Sequence, residues 1–336
     1  MFALPQDAPA ADAWSAAAKT VEPFLQSWLG ARPKGKLTLL DLPDTQDAPF
    51  ETGALLALPI RPGPADLLEG VLAHALSHAY IRAGSATPPM WLDEGLANFM
   101  GTLWIEKQLG RDKALESLEA SRPALALAEP SSPGESAGEP IARAISPVYY
   151  RSKAAYLLWM LRDIVGEPAL SAALRGLESA AGDGAEGSTA VGQSEAPGTA
   201  AADRDGRTLE RLLDQADGHR DLTWFFADWI DADHGLPDLT IEGVFPNSTA
   251  PDSTLVAVNV ANKGYAAAEV PLTVRSDMTS ITQRILIPAR SKASRRILIQ
   301  GKPIEVQLND GSVPETQATV HVTKLSDAPA SPDAMK

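Results

Sequence analysis

The sequence of 336 residues contains no cysteine and no apolar run that approaches the length of a membrane span. Without cysteine the chain has no disulfides and no zinc site built on thiolates. A helix needs about 20 apolar residues to cross a bilayer, so no membrane segment is predicted. Basic residues number 29 against 43 acidic ones. This charge balance argues against a surface for nucleic acid or for an anionic membrane.

The N-terminal segment Met1–Asp7 has neither a basic region nor an apolar core, so we expect no signal peptide in this chain. The compartment stays open, because a cysteine-free protein can be exported and the sequence can be a piece of a longer one. Hydrophobic residues make up 44% of the chain, which is ordinary for a globular protein. The length is sufficient for two domains, each with its own core.

The pattern of apolar residues changes near Gly235–Pro237. Before this point apolar residues recur at steps of three and four, typical of helices. Residues 181–206 interrupt the pattern with small and charged residues and are predicted to form a flexible loop. After it, short β-rich runs recur about every ten residues, which favours an antiparallel sandwich of about seven strands. We therefore predict an α+β chain with domains at 1–238 and 239–325 and a disordered tail at 326–336.

Two histidines, His74 and His78, lie four residues apart on a predicted helix. Residues i and i+4 of a helix are one turn apart on the same face, so both imidazoles can reach one ion. Glu94 comes sixteen positions after His78, on the next predicted helix. Its carboxylate would complete a zinc site of two histidines and one glutamate with an open fourth position. The alternative is that the histidines are surface or structural residues that bind nothing.

Position 75 departs from the pattern of a zinc peptidase. In peptidases with an HExxH motif, the residue after the first histidine is a glutamate that acts as general base, whereas here it is Ala75. Such a group contributes about 10²–10⁴-fold to the rate, and alanine cannot transfer a proton. Neither Glu69 nor Asp93 has an evident path to the missing place. The sequence thus predicts a metallopeptidase site without its proton-transfer residue.

Two segments carry a resemblance to a known family: His74–His78, with the letters H-A-L-S-H, and Trp91–Ala97, with W-L-D-E-G-L-A. They resemble the gluzincin zinc aminopeptidases of the membrane alanyl aminopeptidase and leukotriene hydrolase type. The interval Ala79–Asp93 is fifteen residues, three shorter than in the family. The resemblance covers about residues 20–240 and implies a mostly helical, thermolysin-like domain. The predicted immunoglobulin-like sandwich would match the family's β domain, whereas the family's large N-terminal β domain has no counterpart here.

Further site residues are implied by the same resemblance. Glu51 stands at the place of the glutamate in the G-A-M-E-N segment, which binds the free amine of the substrate. The segment Val148–Ala155 resembles the Tyr-x-Lys-Gly region, whose tyrosine stabilises the oxyanion. This implies Tyr150 as the oxyanion donor, with Tyr149 as the alternative, because Tyr150 lies three residues before Lys153 instead of two. The competing interpretation is that Glu51 is an ordinary strand-end residue and that the tyrosines only pack.

We predict a zinc metallopeptidase domain of aminopeptidase type that hydrolyses or binds peptides and is inactive or strongly impaired at Ala75. That alanine is either an engineered replacement or a natural loss, and the drift around Glu51, the tyrosines and the Ala79–Asp93 interval favours natural loss. The alternative function is a non-catalytic pseudopeptidase that binds peptides or partner proteins. A third interpretation is a structural pair of domains whose histidines bind no metal. Zinc content separates the third interpretation from the other two.

Overall fold

The computed structural model describes the chain apart from four internal stretches, one single residue and the C-terminal residues. The described residues are 1–31, 36–81, 89–129, 140–183, 197–218 and 220–325. They form two compact units: the first comprises the described residues of Met1–Leu125 and Glu139–Asp233, and the second those of Ala126–Gly138 and His234–Lys336. The first unit is mostly helical and the second is built on antiparallel sheets, so the predicted α+β class is confirmed.

Helices dominate the first unit because long stretches place apolar residues on one face at helical spacing. The α-helices of the described residues are α1 (Ala11–Leu29), α2 (Ala65–Ile81), α3 (Met90–Leu109), α4 (Arg111–Glu119), α5 (Arg122–Ala128), α6 (Ala154–Val165), α7 (Glu167–Asp183), α8 (Pro197–Ala216) and α9 (Thr223–Phe226). Two π-helical segments, Val148–Lys153 and Ala227–Asp231, adjoin α6 and α9. The core of this unit holds fully buried rings, such as Trp91, Trp159 and Trp229.

Helices occupy both ends of the segment predicted as a loop at 181–206. Helix α7 continues to Asp183 and helix α8 already begins at Pro197. The run Ala200–Ala202 explains the early start of α8, because alanine has the highest helix propensity and proline is favoured in the first turn. The middle of the predicted loop, residues 184–196, and the predicted tail, 326–336, lie outside the described residues.

A small sheet in the first unit consists of β1 (Thr38–Asp41), β2 (Phe50–Thr52) and β3 (Leu55–Leu58). Strand β3 is central, parallel to β1 and antiparallel to β2. The β2–β3 hairpin turns at Gly53, whose φ of 55° is readily adopted by glycine. Leu56 and Leu58 are buried. This packing fixes the edge strand β2, on which Glu51 lies opposite Leu56.

The described part of the second unit contains seven strands, and the sequence predicts about seven. They are β4 (Leu239–Ala250), β5 (Ser253–Asn262), β6 (Ala268–Ser276), β7 (Ser280–Ile287), β8 (Lys292–Gln300), β9 (Pro303–Leu308) and β10 (His321–Lys324). One antiparallel sheet has the order β4-β5-β8 and the other the order β10-β9-β6-β7. Alternate residues point to a buried face, as with Val256 and Val258 on β5 and Val270 and Leu272 on β6.

Candidate functional site

Helix α2 presents His74 and His78 on one face, as their spacing predicts. The centroids of the two imidazole rings are 5.3 Å apart. The His78 side chain is fully buried, and that of His74 is 22% exposed. Helix α3 packs against this face of α2: a Cβ on Gly101 would be in ordinary van der Waals contact, at 3.6 Å, with the Cβ of His74. The site is therefore held by two packed helices.

The carboxylate of Glu51 faces both histidines. Its Oε2 atom lies 3.5 Å from Nε2 of His74 and 3.3 Å from Nε2 of His78. In the described part of the chain, these three residues form a group whose ligand atoms all lie within 4.8 Å of one another. The predicted metal cofactor is thus matched by a His/Glu group that could hold an ion. The structure brings two of the predicted ligands together with the residue predicted to bind the amine.

The spacing of these atoms suits a tetrahedral zinc ion. Zinc binds imidazole nitrogen and carboxylate oxygen at about 2.0–2.2 Å, which puts two ligands of a tetrahedron about 3.3–3.5 Å apart. The distances from Oε2 of Glu51 to Nε2 of His74 and to Nε2 of His78 both fall in that range. In addition, Nε2 of His78 is buried and has no hydrogen-bond partner within the described residues. A buried nitrogen of this kind is suited to a metal bond.

Asp93 orients the buried histidine. Nδ1 of His78 donates a hydrogen bond of 2.7 Å to Oδ1 of Asp93, the residue on α3 just before Glu94. This bond fixes the tautomer and leaves Nε2 to face Glu51, as is usual for a histidine that binds a metal. From its sequence context, Asp93 was a candidate only for the missing base. Its position beside a predicted ligand was the signal that it could act from behind the site.

The electrostatics of this group reflect close pairing of charges. Burial by itself lowers the pKa of His78, but the hydrogen bond and negative charge of Asp93, together with the nearby carboxylate of Glu51, outweigh it and raise the pKa to about 9. Burial by itself raises the pKa of Glu51, but the two imidazoles outweigh it and hold the pKa well below its usual range. The group of Glu51, His74 and His78 therefore favours the binding of a cation or of protons.

Glu94 takes a different partner in the structure. Nε of Arg151 donates a hydrogen bond of 2.7 Å to Oε2 of Glu94. Within the described residues, Glu94 does not belong to the group of potential metal ligands that contains the two histidines. Its side chain is 15% exposed, and that of Arg151 is 47% exposed. The structure thus places the predicted third ligand in an ion pair.

The segment with the candidate oxyanion donors is π-helical, from Val148 to Lys153. A π-turn contains one residue more than an α-turn, and both tyrosines and Lys153 lie in this segment. Tyr149 is nearly buried, and its ring centroid lies 5.3 Å from Nζ of Lys153. Nζ of Lys153 also donates a 2.7 Å hydrogen bond to the buried Asp233. Tyr150 is the less buried tyrosine of the two.

Ala75 is fully buried on α2, between the two histidines in sequence. It carries no ionisable group, and the nearby carboxylates are engaged: Asp93 with His78, and Glu51 with both imidazoles. A cavity of about 400 Å³ opens beside His74. Its lining is largely apolar and includes Leu67, Val71, His74, Asn98, Ile105 and Leu109. Such a cavity is large enough for part of a small ligand.

Comparison with known proteins relates this geometry to peptidases. No known protein family and no curated protein matches the sequence. The structure superposes on that of Legionella pneumophila aminopeptidase A, solved in complex with aspartic acid, with a TM-score of 0.60 and 15% identity. The match covers 93% of this chain. The fold of this chain is similar to that of an aminopeptidase.

The chain spans about a third of the length of that aminopeptidase, 35% by the superposition. A second similar structure is a Glu-to-Ala variant of an M1 zinc metallopeptidase from Deinococcus radiodurans, bound to a Tyr-Ser-Ala substrate. Its TM-score is 0.40 at 21% identity, covering 58% of this chain and 42% of that one. This TM-score is too low to support a conclusion about this chain. Among the described residues, no helix is long and apolar enough to cross a membrane.

Proposed function

We propose that this chain is a zinc-binding, peptidase-like protein of the gluzincin aminopeptidase type, with hydrolysis absent or strongly impaired. The observation that carries the proposal is the group of His74, His78 and Glu51, whose distances of 3.3 and 3.5 Å suit a tetrahedral zinc. The fold similarity to an aminopeptidase supports it. In this proposal the first unit is a thermolysin-like domain and the second an immunoglobulin-like sandwich with a structural role.

Each residue has a defined role in this proposal. His74 and His78 bind the metal through Nε2, and Asp93 holds His78 in the required tautomer. Zinc, when bound, lowers the pKa of a water ligand to about 7 and polarises a carbonyl. Tyr150 donates a hydrogen bond to an oxyanion. Ala75 contributes no proton transfer, so the site lacks about 10²–10⁴-fold of the rate that a glutamate supplies.

A second candidate function is a non-catalytic binding protein that holds peptides near the metal. Two observations favour it: the buried Ala75 in place of a base, and the cavity of about 400 Å³ beside His74. The apolar residues Leu67, Val71 and Ile105 in its lining suit an apolar side chain of a peptide. Turnover of an aminoacyl or peptide substrate by the zinc-loaded protein separates the two functions.

Thermal unfolding tests the metal site. A ligand that binds the folded state stabilises it by mass action, by about 2.7 kcal/mol at a free zinc concentration of 100 times Kd. We therefore expect zinc to raise the melting temperature of the wild-type chain and to have no such effect on His78→Ala. His234→Ala, which changes a histidine outside the group, is the control and keeps the response. If metal-free and zinc-loaded wild type melt alike, the proposal is wrong.

A further inference from the structure

Two carboxylates compete for the role of third metal ligand, and the structure separates them. We infer that Glu51, and not Glu94, binds the metal together with His74 and His78, and that Arg151 holds Glu94 away from it. The inference rests on the proposed function, since it assumes that the histidines bind zinc. It assigns to Glu51 a role other than recognition of a substrate amine, and to Arg151 the role of a positioning residue.

The first argument is the geometry of Glu51. A single oxygen, Oε2, faces Nε2 of both histidines at 3.5 and 3.3 Å. A direct hydrogen bond between an imidazolium and a carboxylate is shorter, about 2.7–2.9 Å. The two distances instead match two edges of a zinc tetrahedron, about 3.3–3.5 Å. One oxygen that faces two imidazole nitrogens at this distance is suited to sharing a cation with them.

The second argument is the burial of Glu51. Its side chain is only 7% exposed, on the edge strand β2. A buried carboxylate is unfavourable unless it is paired with positive charge or bound to a metal. The imidazoles of His74 and His78 face it, and the guanidinium of Arg151 is close enough to interact with its charge. A zinc ion between these three side chains would neutralise Glu51 while the histidines stay in their neutral, metal-binding form.

The third argument is the ion pair of Glu94. Its Oε2 accepts a 2.7 Å hydrogen bond from Arg151, a charge-assisted bond of the stronger kind. The pair is built into the helix packing at Gly95. A Cβ on this residue would lie 2.3 Å from the Cβ of Ala154 and 3.3 Å from the carbonyl oxygen of Tyr150. The backbone that carries Arg151 is therefore pressed against the turn of α3 that carries Glu94.

The assignment of Glu51 as the third ligand predicts a distinct pattern of zinc affinities. Competition with a chromophoric zinc chelator would measure Kd for the wild type, Glu51→Gln, Glu94→Gln and the double variant Glu51→Gln/Arg151→Gln. Glutamine has the shape of glutamate but not its charge, so the two single variants are matched controls for each other. We expect Glu51→Gln to weaken binding at least about tenfold. Glu94→Gln keeps Kd within about threefold of the wild type.

The double variant tests the role of Arg151. With the guanidinium removed, Glu94 is released and replaces Glu51 as the carboxylate ligand. Arg151→Gln should therefore restore part of the affinity that Glu51→Gln removes, by at least about threefold. A double variant as weak as Glu51→Gln would contradict the role of Arg151. Circular dichroism spectra of all variants establish that the helical fold is retained.

Two outcomes would overturn the assignment of Glu51. One is a larger loss of zinc affinity in Glu94→Gln than in Glu51→Gln. The other is an equal loss of zinc affinity in both variants. If Glu51→Gln does not fold, Glu94→Gln alone decides: wild-type affinity supports the inference and a tenfold loss contradicts it. A wild type that binds no zinc is a different result, because it refutes the proposed function rather than the choice between the two carboxylates.

Discussion

At the scale of single residues, Ala75 limits the chemistry of this site. It is fully buried on the helix that carries both candidate metal ligands, and a methyl group cannot move a proton. The carboxylates close to the histidines are already engaged, Glu51 with both imidazoles and Asp93 with His78. In the proposed function, metal binding is therefore separated from hydrolysis at position 75.

Replacement of Ala75 by glutamate tests this separation. If the remaining groups still serve, Ala75→Glu should raise the turnover of an aminoacyl or peptide substrate by up to about 10²–10⁴-fold. We expect a partial gain, because the segments around Glu51 and Tyr150 differ from the aminopeptidase pattern. We also expect a loss of stability of about 1–3 kcal/mol, since a larger side chain enters a fully buried position.

The matched control for this experiment is Ala75→Gln, which has nearly the same size but transfers no proton. Zinc-loaded samples of both variants are compared in the same assay, with zinc content measured for each. A gain in Ala75→Glu alone identifies the missing base. Equal turnover of the two variants, with zinc bound in both, would mean that the defect lies elsewhere, and the non-catalytic binding function would then be favoured.

The sequence predicted the residue pairs that depend on local spacing. His74 and His78 share a face because four residues make about one helical turn. The partners of Glu51 and Glu94 could not be predicted in this way. They depend on where strand β2 lies against helix α2, and on where the π-helical segment crosses α3. These are tertiary contacts, and spacing along one element contains no information about them.

At the scale of structural elements, a buried charge network stabilises the second unit between β9 and β10. Glu315 is 1% exposed, and its carboxylate accepts hydrogen bonds from the backbone N–H of Leu239 and from the side chain of Asn309. Nε2 of His321, on β10, lies 2.9 and 3.1 Å from the two oxygens of the same carboxylate. The strand that ends the described sheet is thus tied to the loop before it.

This pair makes the stability of the second unit depend on pH. The hydrogen bond to Glu315 raises the pKa of His321, against the opposing effect of burial, and the negative charges of Glu315 and Asp238 act in the same direction. A group whose pKa is raised on folding stabilises the folded state fully below its unfolded pKa, about 6.5 for histidine. That stabilisation is lost as the pH rises through the folded pKa.

Substitution of His321 by glutamine removes the titrating group and keeps a polar side chain. We expect His321→Gln to lower the free energy of unfolding by about 1.5 kcal/mol at pH 5.5, the lower end for hydrogen bonds to charged groups. The difference from wild type should shrink as the pH is raised from neutral into the alkaline range. Chemical denaturation at several pH values measures it. A difference that does not change with pH would contradict the assigned charge.

At the scale of the whole molecule, the sequence predicted the type of secondary structure in each part of the chain better than the boundaries of the elements. The periodicity changes from helical to strand-like near Gly235–Pro237, and the structure divides into units at Asp233 and His234. About seven strands were expected in the second part, and the described residues of the second unit contain seven. The start of α8 at Pro197 was missed, because a short alanine-rich stretch between polar residues shows no apolar periodicity.

The similarity to an aminopeptidase is a similarity of fold over 93% of this chain, and the sequence identity is 15%. A fold of this kind does not by itself imply the activity, because function depends on the site residues. The proposed zinc binding therefore depends on the group of His74, His78 and Glu51 more than on the fold comparison. We propose that this group binds one zinc ion.

Elemental analysis of the purified chain tests that claim most directly. The protein is loaded with zinc, dialysed against metal-free buffer and analysed for zinc and for protein concentration. We predict one zinc ion per chain in the wild type, and none in the variant His74→Ala/His78→Ala, which lacks both imidazoles. No retained zinc in a folded wild type, or the same zinc content in the double variant, would contradict the account.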